Sequence, residues 1–287
     1  MEPVDTRPAW RSYDRMAATG EYGDLLAGGG EFCGWAARER DFFVEALRGT
    51  PLVLDLGCGP GFPALTLGAH VGGVVGVDAS EAMLRQARSN RSRLVVGNAL
   101  FVRALAEALP MSSGAFGGVA ICGALGSVDS PERVLRELRR VCAAEATIVS
   151  LEQDYSFRRQ DEETRVQWDL RGHDGELRAR RVSYCLSPDR IVTQVRRLRL
   201  GTPMYTKLLA RSASEPNAWP EGATDWSLMT PEDIAEQWVE VERTWRPDTL
   251  AAAFGAVGFE VVSQEVEPGH GRPHIFSVFR RRSVSPL

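Results

Sequence analysis

The sequence predicts an α/β fold in which a mostly parallel, seven-stranded sheet carries helices on both faces. Short apolar runs alternate with amphipathic helical stretches, first over residues 50–154 and again from residue 247 onward. The first run, Leu52–Leu56, leads into a glycine-rich segment, Gly57–Gly61, and the next run, Gly73–Asp78, ends on an acid. Glycines and acids at the carboxyl ends of parallel strands are typical of sheets that bind a ligand at that edge.

The remaining elements of this domain follow the same alternation. Ser80 is a favourable N-cap for a helix that contains Met83, and Ser130 precedes a helix that begins with proline. Residues 94–96 compete with residues 100–104 for the third strand. The predicted strands are 52–56, 73–78, 100–104, 116–122, 146–151, 259–266 and 274–280, and the predicted helices are 62–69, 81–88, 130–141 and 248–257.

The alternation is interrupted between the fifth and sixth strands, and this interruption divides the chain into three predicted parts. Within the insertion we expect a hairpin, with strands over 177–185 and 190–200, and a helix that Thr230 begins and that runs to about Arg243. The parts are an N-terminal helical cap over 1–49, a cofactor-binding domain over 50–154 and 247–287, and an inserted α+β substrate cap over 155–246.

Composition excludes several classes of protein. The 287 residues are 44% hydrophobic and carry a net charge of −4, which favours a globular core and disfavours a nucleic-acid binder. The five cysteines are scattered and unpaired in spacing, so we expect a reducing compartment and no metal site. The polar N-terminus and the lack of a long apolar run predict neither a signal peptide nor a membrane partner. We therefore expect a cytoplasmic protein.

The glycine segment indicates the kind of ligand. Gly57 and Gly59 fit the first two positions of a dinucleotide-binding loop, but Phe62 occupies the position of its third glycine. Asp55, just before the loop, would face a cationic group, which favours a ligand like S-adenosylmethionine (SAM) over NAD. We also expect free N–H groups and a helix dipole at this loop, where a carboxylate would be held. Asp78, at the end of the second run, can accept hydrogen bonds from ribose hydroxyls.

These motifs resemble the class I SAM-dependent methyltransferases, especially the UbiE-like small-molecule branch. The resemblance is carried by LVLDLGCGPG (52–61), VVGVDASEAML (74–84), FVRALAEALP (101–110), the stretch from SGAFGGVAICGAL to SPERVLRELRRV, and AAAFGAVGFEVV near the end. It covers about residues 30–151 and 247–280. It implies a Rossmann-like fold, SAM as cofactor and S-adenosylhomocysteine as product.

The resemblance also implies a set of cofactor-binding residues. The loop would pass under the methionine moiety, Asp55 would lie near its amino group, and Asp78 would hold the ribose. Around the adenine and the sulfonium the implied contacts are Ala79, Met83, Leu105, Ala106, Cys122 and Gly123, besides Gly57, Cys58, Gly59 and Gly61 in the loop. The sequence departs from the family where Leu105 and Gly117 replace aspartates, and the first departure bears on adenine recognition.

Candidates for a catalytic role are fewer. His173 could act as a general base, or it could be an ordinary loop histidine. Asp154, with Glu152, follows the fifth strand at the ligand-binding edge, and Tyr13 could close over the cofactor or pack against the cap. Cys58 and Cys122 are expected to fill space, since neither has a histidine or second cysteine nearby.

We therefore expect methyl transfer from SAM to an oxygen, nitrogen or carbon nucleophile of a small molecule, with natural-product biosynthesis as the favoured setting. Three alternatives stay open at this point: a SAM-binding enzyme of the same fold that performs a cyclisation, a nicotinamide oxidoreductase, and a non-catalytic partner subunit. A homodimer is also left open.

Overall fold

The computed structural model describes residues 5–7, 10, 33–154, 156, 163–169, 178–184, 190–206, 229–267 and 273–282. The strands are β1 (Asp5–Arg7), β2 (Val53–Leu56), β3 (Val74–Asp78), β4 (Ala99–Arg103), β5 (Phe116–Cys122), β6 (Cys142–Gln153), β7 (Glu163–Asp169), β8 (Arg178–Tyr184), β9 (Arg190–Leu198), β10 (Ile234–Arg243), β11 (Phe259–Glu267) and β12 (His274–Arg281). The helices are α1 (Cys33–Leu47), α2 (Ala64–Leu67), α3 (Glu81–Leu94), α4 (Pro131–Val141) and α5 (Pro247–Ala256).

The chain divides into two compact units. The larger unit comprises residues 10–158 and 244–287, and the smaller unit comprises residues 1–9 and 159–243. Helix α1 belongs to the larger unit, although it lies within the segment predicted as an N-terminal cap. The role of residues 155–246 as a substrate cap stays a prediction.

The larger unit is built on a seven-stranded sheet in the order β11-β12-β6-β5-β2-β3-β4. Strands β4, β3, β2, β5 and β6 pair in parallel, whereas β12 pairs antiparallel with β6 and β11 pairs antiparallel with β12. The predicted mostly parallel, seven-stranded sheet is thereby confirmed. The third strand is Ala99–Arg103, so residues 94–96 do not provide it.

Helices cover both faces of this sheet, as predicted. On one face α4 and α5 pack through buried residues such as Leu138 and Phe254. On the other face α1 and α2 contribute Phe43, Leu47 and Leu67 to a second core cluster. Strand residues alternate between the two clusters, because successive side chains of a strand point to opposite faces. A sheet buried on both sides holds the carboxyl ends of its strands at fixed positions.

Helix α2 is shorter than the sequence predicts. It comprises only Ala64–Leu67, whereas the pattern predicted a helix over 62–69. The Asp55 carboxylate accepts the Ala64 N–H at 2.9 Å and so caps the helix two residues later than expected. The chain before it, including Pro63, forms turns.

The smaller unit carries a five-stranded sheet in the order β1-β10-β9-β8-β7. The predicted hairpin is confirmed, since β8 and β9 pair antiparallel from Arg178–Arg197 to Tyr184–Ile191. The prediction that residues 1–49 are helical is wrong at residues 5–7, which form a strand parallel to β10. Backbone pairing with a long neighbouring strand outweighs the weak helical pattern of so short a segment.

The predicted helix from Thr230 to about Arg243 is also wrong. The capping signal does form a turn, in which the Asp233 carboxylate accepts hydrogen bonds from the Thr230 N–H at 3.0 Å and its hydroxyl at 2.9 Å. The chain then enters β10, which pairs with β9 along almost its entire length. Trp238 and Glu240 are buried at a spacing of two, so the strand period prevails over the cap. None of the described helices is long and apolar enough to cross a bilayer.

Candidate functional site

A cavity of about 360 Å³ lies at the carboxyl ends of β2, β3 and β5 in the larger unit. Its volume falls within the ~300–1,000 Å³ that small-molecule sites usually have. Two segments form much of its lining, namely residues 56–60, here called the glycine wall, and residues 122–124 with 127–129, here called the turn wall. Further lining residues are Trp10, Phe62, Val77, Asp78, Ala79, Met83, Ala104, Leu105, Ala106, Glu107 and Gln153.

The glycine wall is held by hydrogen bonds within the chain. The Val77 carbonyl accepts the N–H groups of Gly57 at 2.8 Å and of Cys58 at 3.0 Å, and the Cys58 carbonyl accepts the Gly61 N–H at 2.9 Å. The Asp78 carboxylate accepts the Gly59 N–H at 2.9 Å. The expected cluster of free N–H groups is therefore wrong for these four residues. The predicted helix-dipole site is also wrong, because α2 is only four residues long.

The glycines serve instead to bring backbone close to the cavity. Gly57 has a φ of +69°, and a Cβ added there would lie 2.5 Å from the Cβ of Ala124 in the turn wall. Gly59, at φ +50°, lines the cavity with nothing within 4 Å of such a Cβ. A ligand can therefore contact the bare backbone of the glycine wall. Gly61, at φ +113°, does not line the cavity, and its missing Cβ makes room for Leu65.

Asp78 lies at the rim between the glycine wall and the start of α3. One carboxylate oxygen accepts the Gly59 N–H at 2.9 Å, and the other accepts the Ser80 N–H at 2.8 Å. The side chain lines the cavity, in keeping with the predicted ribose contact. Asp78 thus has a second task that the sequence did not indicate, because it fixes the backbone of the glycine wall.

Asp55 lies beneath the loop and does not line the cavity. Its side chain is fully buried, with Oδ2 bonded to the Ala64 N–H and Oδ1 without a hydrogen-bond partner. Burial raises the pKa of Asp55 to about 8, the Ala64 hydrogen bond opposes this rise, and the charge of Asp78 adds to it. Contact between Asp55 and a ligand amino group stays a prediction. The structure shows that the Asp55 carboxylate binds the first N–H group of α2.

The residues predicted around the adenine all line the cavity, namely Ala79, Met83, Leu105 and Ala106. Met83 is buried, and its N–H bonds to the Ser80 hydroxyl at 3.1 Å, which confirms Ser80 as the N-cap of α3. Leu105 is 45% exposed. An apolar side chain therefore stands where the family usually has an aspartate, and it offers the adenine contact area and no acceptor.

Both cysteines predicted to lie at the site line the cavity. Burial raises the pKa of the Cys58 thiol, and the charges of Asp55 and Asp78 raise it further. Burial likewise raises the pKa of Cys122, with added contributions from Glu39, Asp55 and Glu152. Because a thiol is nucleophilic only as the thiolate, both cysteines are suited to filling space.

Of the three catalytic candidates, the structure describes only Asp154. Asp154 is buried but does not line the cavity, and its carboxylate accepts hydrogen bonds from the Ser156 N–H at 2.8 Å and hydroxyl at 2.6 Å. His173 and Tyr13 lie outside the described residues. Their catalytic roles and that of Asp154 stay predictions. Among the described residues, no group of three potential metal ligands comes together.

Sequence reasoning missed most of the turn wall and its neighbours. Ser127, Val128 and Asp129 line the cavity, and the Glu107 carboxylate accepts the Asp129 N–H at 2.9 Å. Gln153, at the carboxyl end of β6, also lines it. The rule that ligands bind beyond the carboxyl ends of parallel strands could have found these residues. That rule does not identify Trp10, which does not follow a strand of this sheet.

The charged residues described in the lining are all acidic. Asp78, Glu107 and Asp129 contribute carboxylates, and the described residues that line the cavity include no lysine, arginine or histidine. SAM carries two positive groups, a sulfonium and an ammonium, against one carboxylate. A nicotinamide dinucleotide brings a doubly negative pyrophosphate. The lining therefore fits the first ligand and opposes the second.

Comparison with known proteins agrees with this interpretation. Residues 53–145 match the family model of a methyltransferase domain. The ubiquinone/menaquinone biosynthesis C-methyltransferase UbiE of Yersinia enterocolitica is 36% identical to this chain over 104 residues, which are 35% of this chain and 41% of the relative. The match thus spans about two fifths of the length of that relative.

Solved structures of low sequence identity share the fold. The CcbJ methyltransferase from Streptomyces caelestis has a TM-score of 0.60 at 20% identity, with 94% of this chain and 98% of that chain covered. A SAM-dependent methyltransferase from Clostridium acetobutylicum has a TM-score of 0.58 at 11% identity, covering 95% and 100%. The [4+2]-cyclase SpnF has a TM-score of 0.59 at 14% identity, covering 98% and 99%.

The family match falls on the segment that carries the glycine wall, Asp78 and the turn wall, and the shared fold is the seven-stranded sheet that positions them. Residues 53–145 of the chain therefore match a methyltransferase domain, and the fold is that of the class I SAM-dependent methyltransferases, which use SAM as cofactor.

Proposed function

We propose that this protein transfers the methyl group of SAM to a nucleophilic atom of a small molecule, with natural-product biosynthesis as the favoured setting. The observation that carries the proposal is a single cavity wall in which bare glycine backbone, at Gly57 and Gly59, adjoins the carboxylate of Asp78. This pairing offers close approach to an amino-acid moiety and acceptors for a ribose. The one-sided negative lining suits a ligand with two positive groups.

The described residues have distinct tasks in this proposal. Gly57 and Gly59 would contact the methionine moiety, Asp78 would bind the ribose hydroxyls, and Met83 with Leu105 would enclose the adenine. Bound SAM would supply a methyl group on a positively charged sulfur, which is already activated for transfer. The chain's own contribution is to hold the acceptor in line with that group, since such alignment supplies up to about 7–11 kcal/mol.

We assign no dedicated base among the residues that the structure describes. Cys58 and Cys122 remain protonated thiols because burial raises their pKa values. Asp154 lies away from the lining, bonded to Ser156.

The test is calorimetric titration of the intact chain with SAM and, side by side, with NADH. We expect SAM to bind and NADH to show no heat of binding, because the lining carboxylates repel its pyrophosphate. Binding of NADH in preference to SAM would contradict the proposal. Incubation with methyl-labelled SAM and candidate acceptors, followed by mass spectrometry, then shows whether the product gains a methyl group.

The incubation with methyl-labelled SAM separates the proposal from a cyclisation. The neighbour SpnF is described as a [4+2]-cyclase and shares only the fold with this chain. A chain that binds SAM and converts its substrate without gain of a methyl group would belong to that second class. A chain that fails to bind SAM at millimolar concentration would instead be a non-catalytic subunit.

A further inference from the structure

A buried glutamate lies directly behind the turn wall. Glu152, near the end of β6, is only 3% exposed and does not line the cavity. Its Oε1 accepts the Leu125 N–H at 3.1 Å, and the adjacent Ala124 N–H lowers the pKa of the same carboxyl group. Glu152 therefore holds the backbone of the turn that follows β5 at Leu125, the residue after Ala124.

This turn contacts the glycine wall. Ala124 lines the cavity, and its Cβ occupies the space next to Gly57, only 2.5 Å from where a Cβ on Gly57 would lie. Leu125, the next residue, is fully buried in the core. The position of Ala124 is thus fixed on one side by the core and by Glu152, and on the other side by the glycine wall.

Packing alone does not require a carboxyl group at this position. Apart from Ser150, the other buried side chains of β6, such as Ile148 and Val149, are apolar. Burying a carboxyl group costs free energy unless hydrogen bonds compensate for it. The hydrogen bond described for Glu152 comes from the backbone of the turn. Among the described contacts, the free-energy cost of burying the carboxyl group is therefore offset only by hydrogen bonding to the turn.

We infer that Glu152 is a positioning residue that sets the spacing between Ala124 and the glycine wall, and thereby the width of the cavity where SAM binds. The inference rests on the proposed function for its ligand. It depends on the reach of the side chain and on an acceptor oxygen, and a negative charge is not needed. In agreement, burial raises the pKa of Glu152 to about 8, so the neutral form is accessible near neutral pH.

Three substitutions separate reach, acceptor and charge. Glu152→Gln keeps the reach and the acceptor oxygen, and we expect SAM affinity within about twofold of the native value. Glu152→Asp keeps the charge but is one methylene shorter, and we expect about tenfold weaker binding, as for loss of one buried hydrogen bond. Glu152→Leu lacks any acceptor, and we expect a loss at least as large as with aspartate.

The matched control is Ser150→Ala, on the same strand and face. The Ser150 hydroxyl is fully buried and has no hydrogen-bond partner, so its removal should leave SAM affinity unchanged. Hydrogen–deuterium exchange at the Leu125 amide provides a second measurement that needs no ligand. We expect exchange to be faster in the aspartate and leucine variants than in the glutamine variant.

The outcomes are decisive even if the leucine variant does not fold. An aspartate variant that binds SAM as well as the glutamine variant, or better, would overturn the inference. Unchanged exchange at Leu125 in the aspartate variant would also overturn it. If the native chain binds no SAM while the exchange rates differ as expected, the proposed function fails and the holding of the turn by Glu152 stands.

Discussion

The two walls of the cavity are built in different ways. The glycine wall consists of residues that follow one strand, and its shape depends on missing side chains at Gly57 and Gly59 and on the Asp78 carboxylate. The turn wall consists of ordinary residues, and it is held from behind by Glu152, two strands away from the glycine wall in the sheet. The glycine wall depends on the absence of side chains, and the turn wall depends on a buried side chain that holds its backbone.

This difference predicts which substitutions should have the largest effects on SAM binding and stability. At Gly57 of the glycine wall a single added methyl group meets the Ala124 side chain, so the expected effect is large. The backbone of the turn wall is held both by core packing and by hydrogen bonds. Single substitutions there should therefore lower SAM affinity only partly. The following predictions test this contrast in order of decreasing size.

The largest effect is expected for Gly57→Ala. The left-handed backbone at φ +69° costs alanine about 1–2 kcal/mol. The 2.5 Å approach to the Ala124 Cβ adds about 1–3 kcal/mol of crowding. We expect SAM binding to be lost in calorimetry and the free energy of unfolding to fall by the sum of these terms.

Two companion variants isolate the contact between the walls. Gly49→Ala, at φ +77° with nothing within 4 Å of the added Cβ, should show the backbone cost alone. Combining Gly57→Ala with Ala124→Gly should recover part of the lost stability, because the second change removes the opposing Cβ. Equal losses for Gly49→Ala and Gly57→Ala would show that the two walls do not press on each other.

The next effect is expected for Asp78→Ala, which removes the acceptors for ribose and for the N–H groups of Gly59 and Ser80. We expect SAM affinity to fall about ten- to hundredfold, from loss of hydrogen bonds to a charged group. Asp78→Asn keeps one acceptor oxygen and should lie between the alanine variant and the native chain. Calorimetry that gives the same affinity for all three proteins would show that Asp78 does not contact the ligand.

A moderate effect is expected for the pH dependence of stability. The pKa of Asp55 is raised to about 8 in the folded chain, chiefly by burial, against about 3.9 in an unfolded chain. The folded state then binds the proton more tightly, so the free energy of unfolding falls as the pH rises from about 4 to about 8. Asp55→Asn should reduce this slope by up to about 1.4 kcal/mol per pH unit.

The slope is the quantity to compare in this experiment. An asparagine amide would replace the unpartnered Oδ1 of Asp55 and cost stability at every pH. Glu152, whose pKa is also about 8, should keep part of the pH dependence in the variant. Chemical denaturation at several pH values between 5 and 9 provides the measurement, and parallel curves for the two proteins would contradict the raised pKa of Asp55.

The smallest effect concerns the thiols, which should behave alike in both walls. Burial and neighbouring carboxylates raise the pKa values of Cys58 and Cys122. We expect both to react with iodoacetamide at pH 8 at least about tenfold more slowly than the same residues in denatured chain. Mass spectrometry of the resulting peptides resolves each site, and fast labelling of Cys122 alone would indicate an activated thiol in the turn wall.

The contrast between the walls also shows which features of the site can be predicted from the sequence. Gly57, Gly59 and Asp78 were predictable because each stands at a fixed offset from a strand end, and the alternation of strands and helices predicts a parallel sheet. Glu152 was expected among the residues at the ligand edge, but its role depends on which strands are neighbours. The support of Ala124 therefore became visible only in three dimensions.

Two further differences have physical causes of the same kind. Residues 234–243 form a strand because β9 provides a long pairing partner, whereas the local capping signal at Thr230 predicted a helix. The N–H groups of the glycine wall were expected to be free, but Val77 and Asp78 bind them. In both cases a partner distant in sequence determines the hydrogen bonding.

The most direct test of the central claim is the structure of the intact chain in complex with S-adenosylhomocysteine. We expect the ribose within hydrogen-bonding distance of Asp78, the amino-acid moiety against Gly57 and Gly59, and the sulfur directed toward the turn wall. A nucleoside bound elsewhere, or a ligand that leaves this cavity empty, would contradict the assignment.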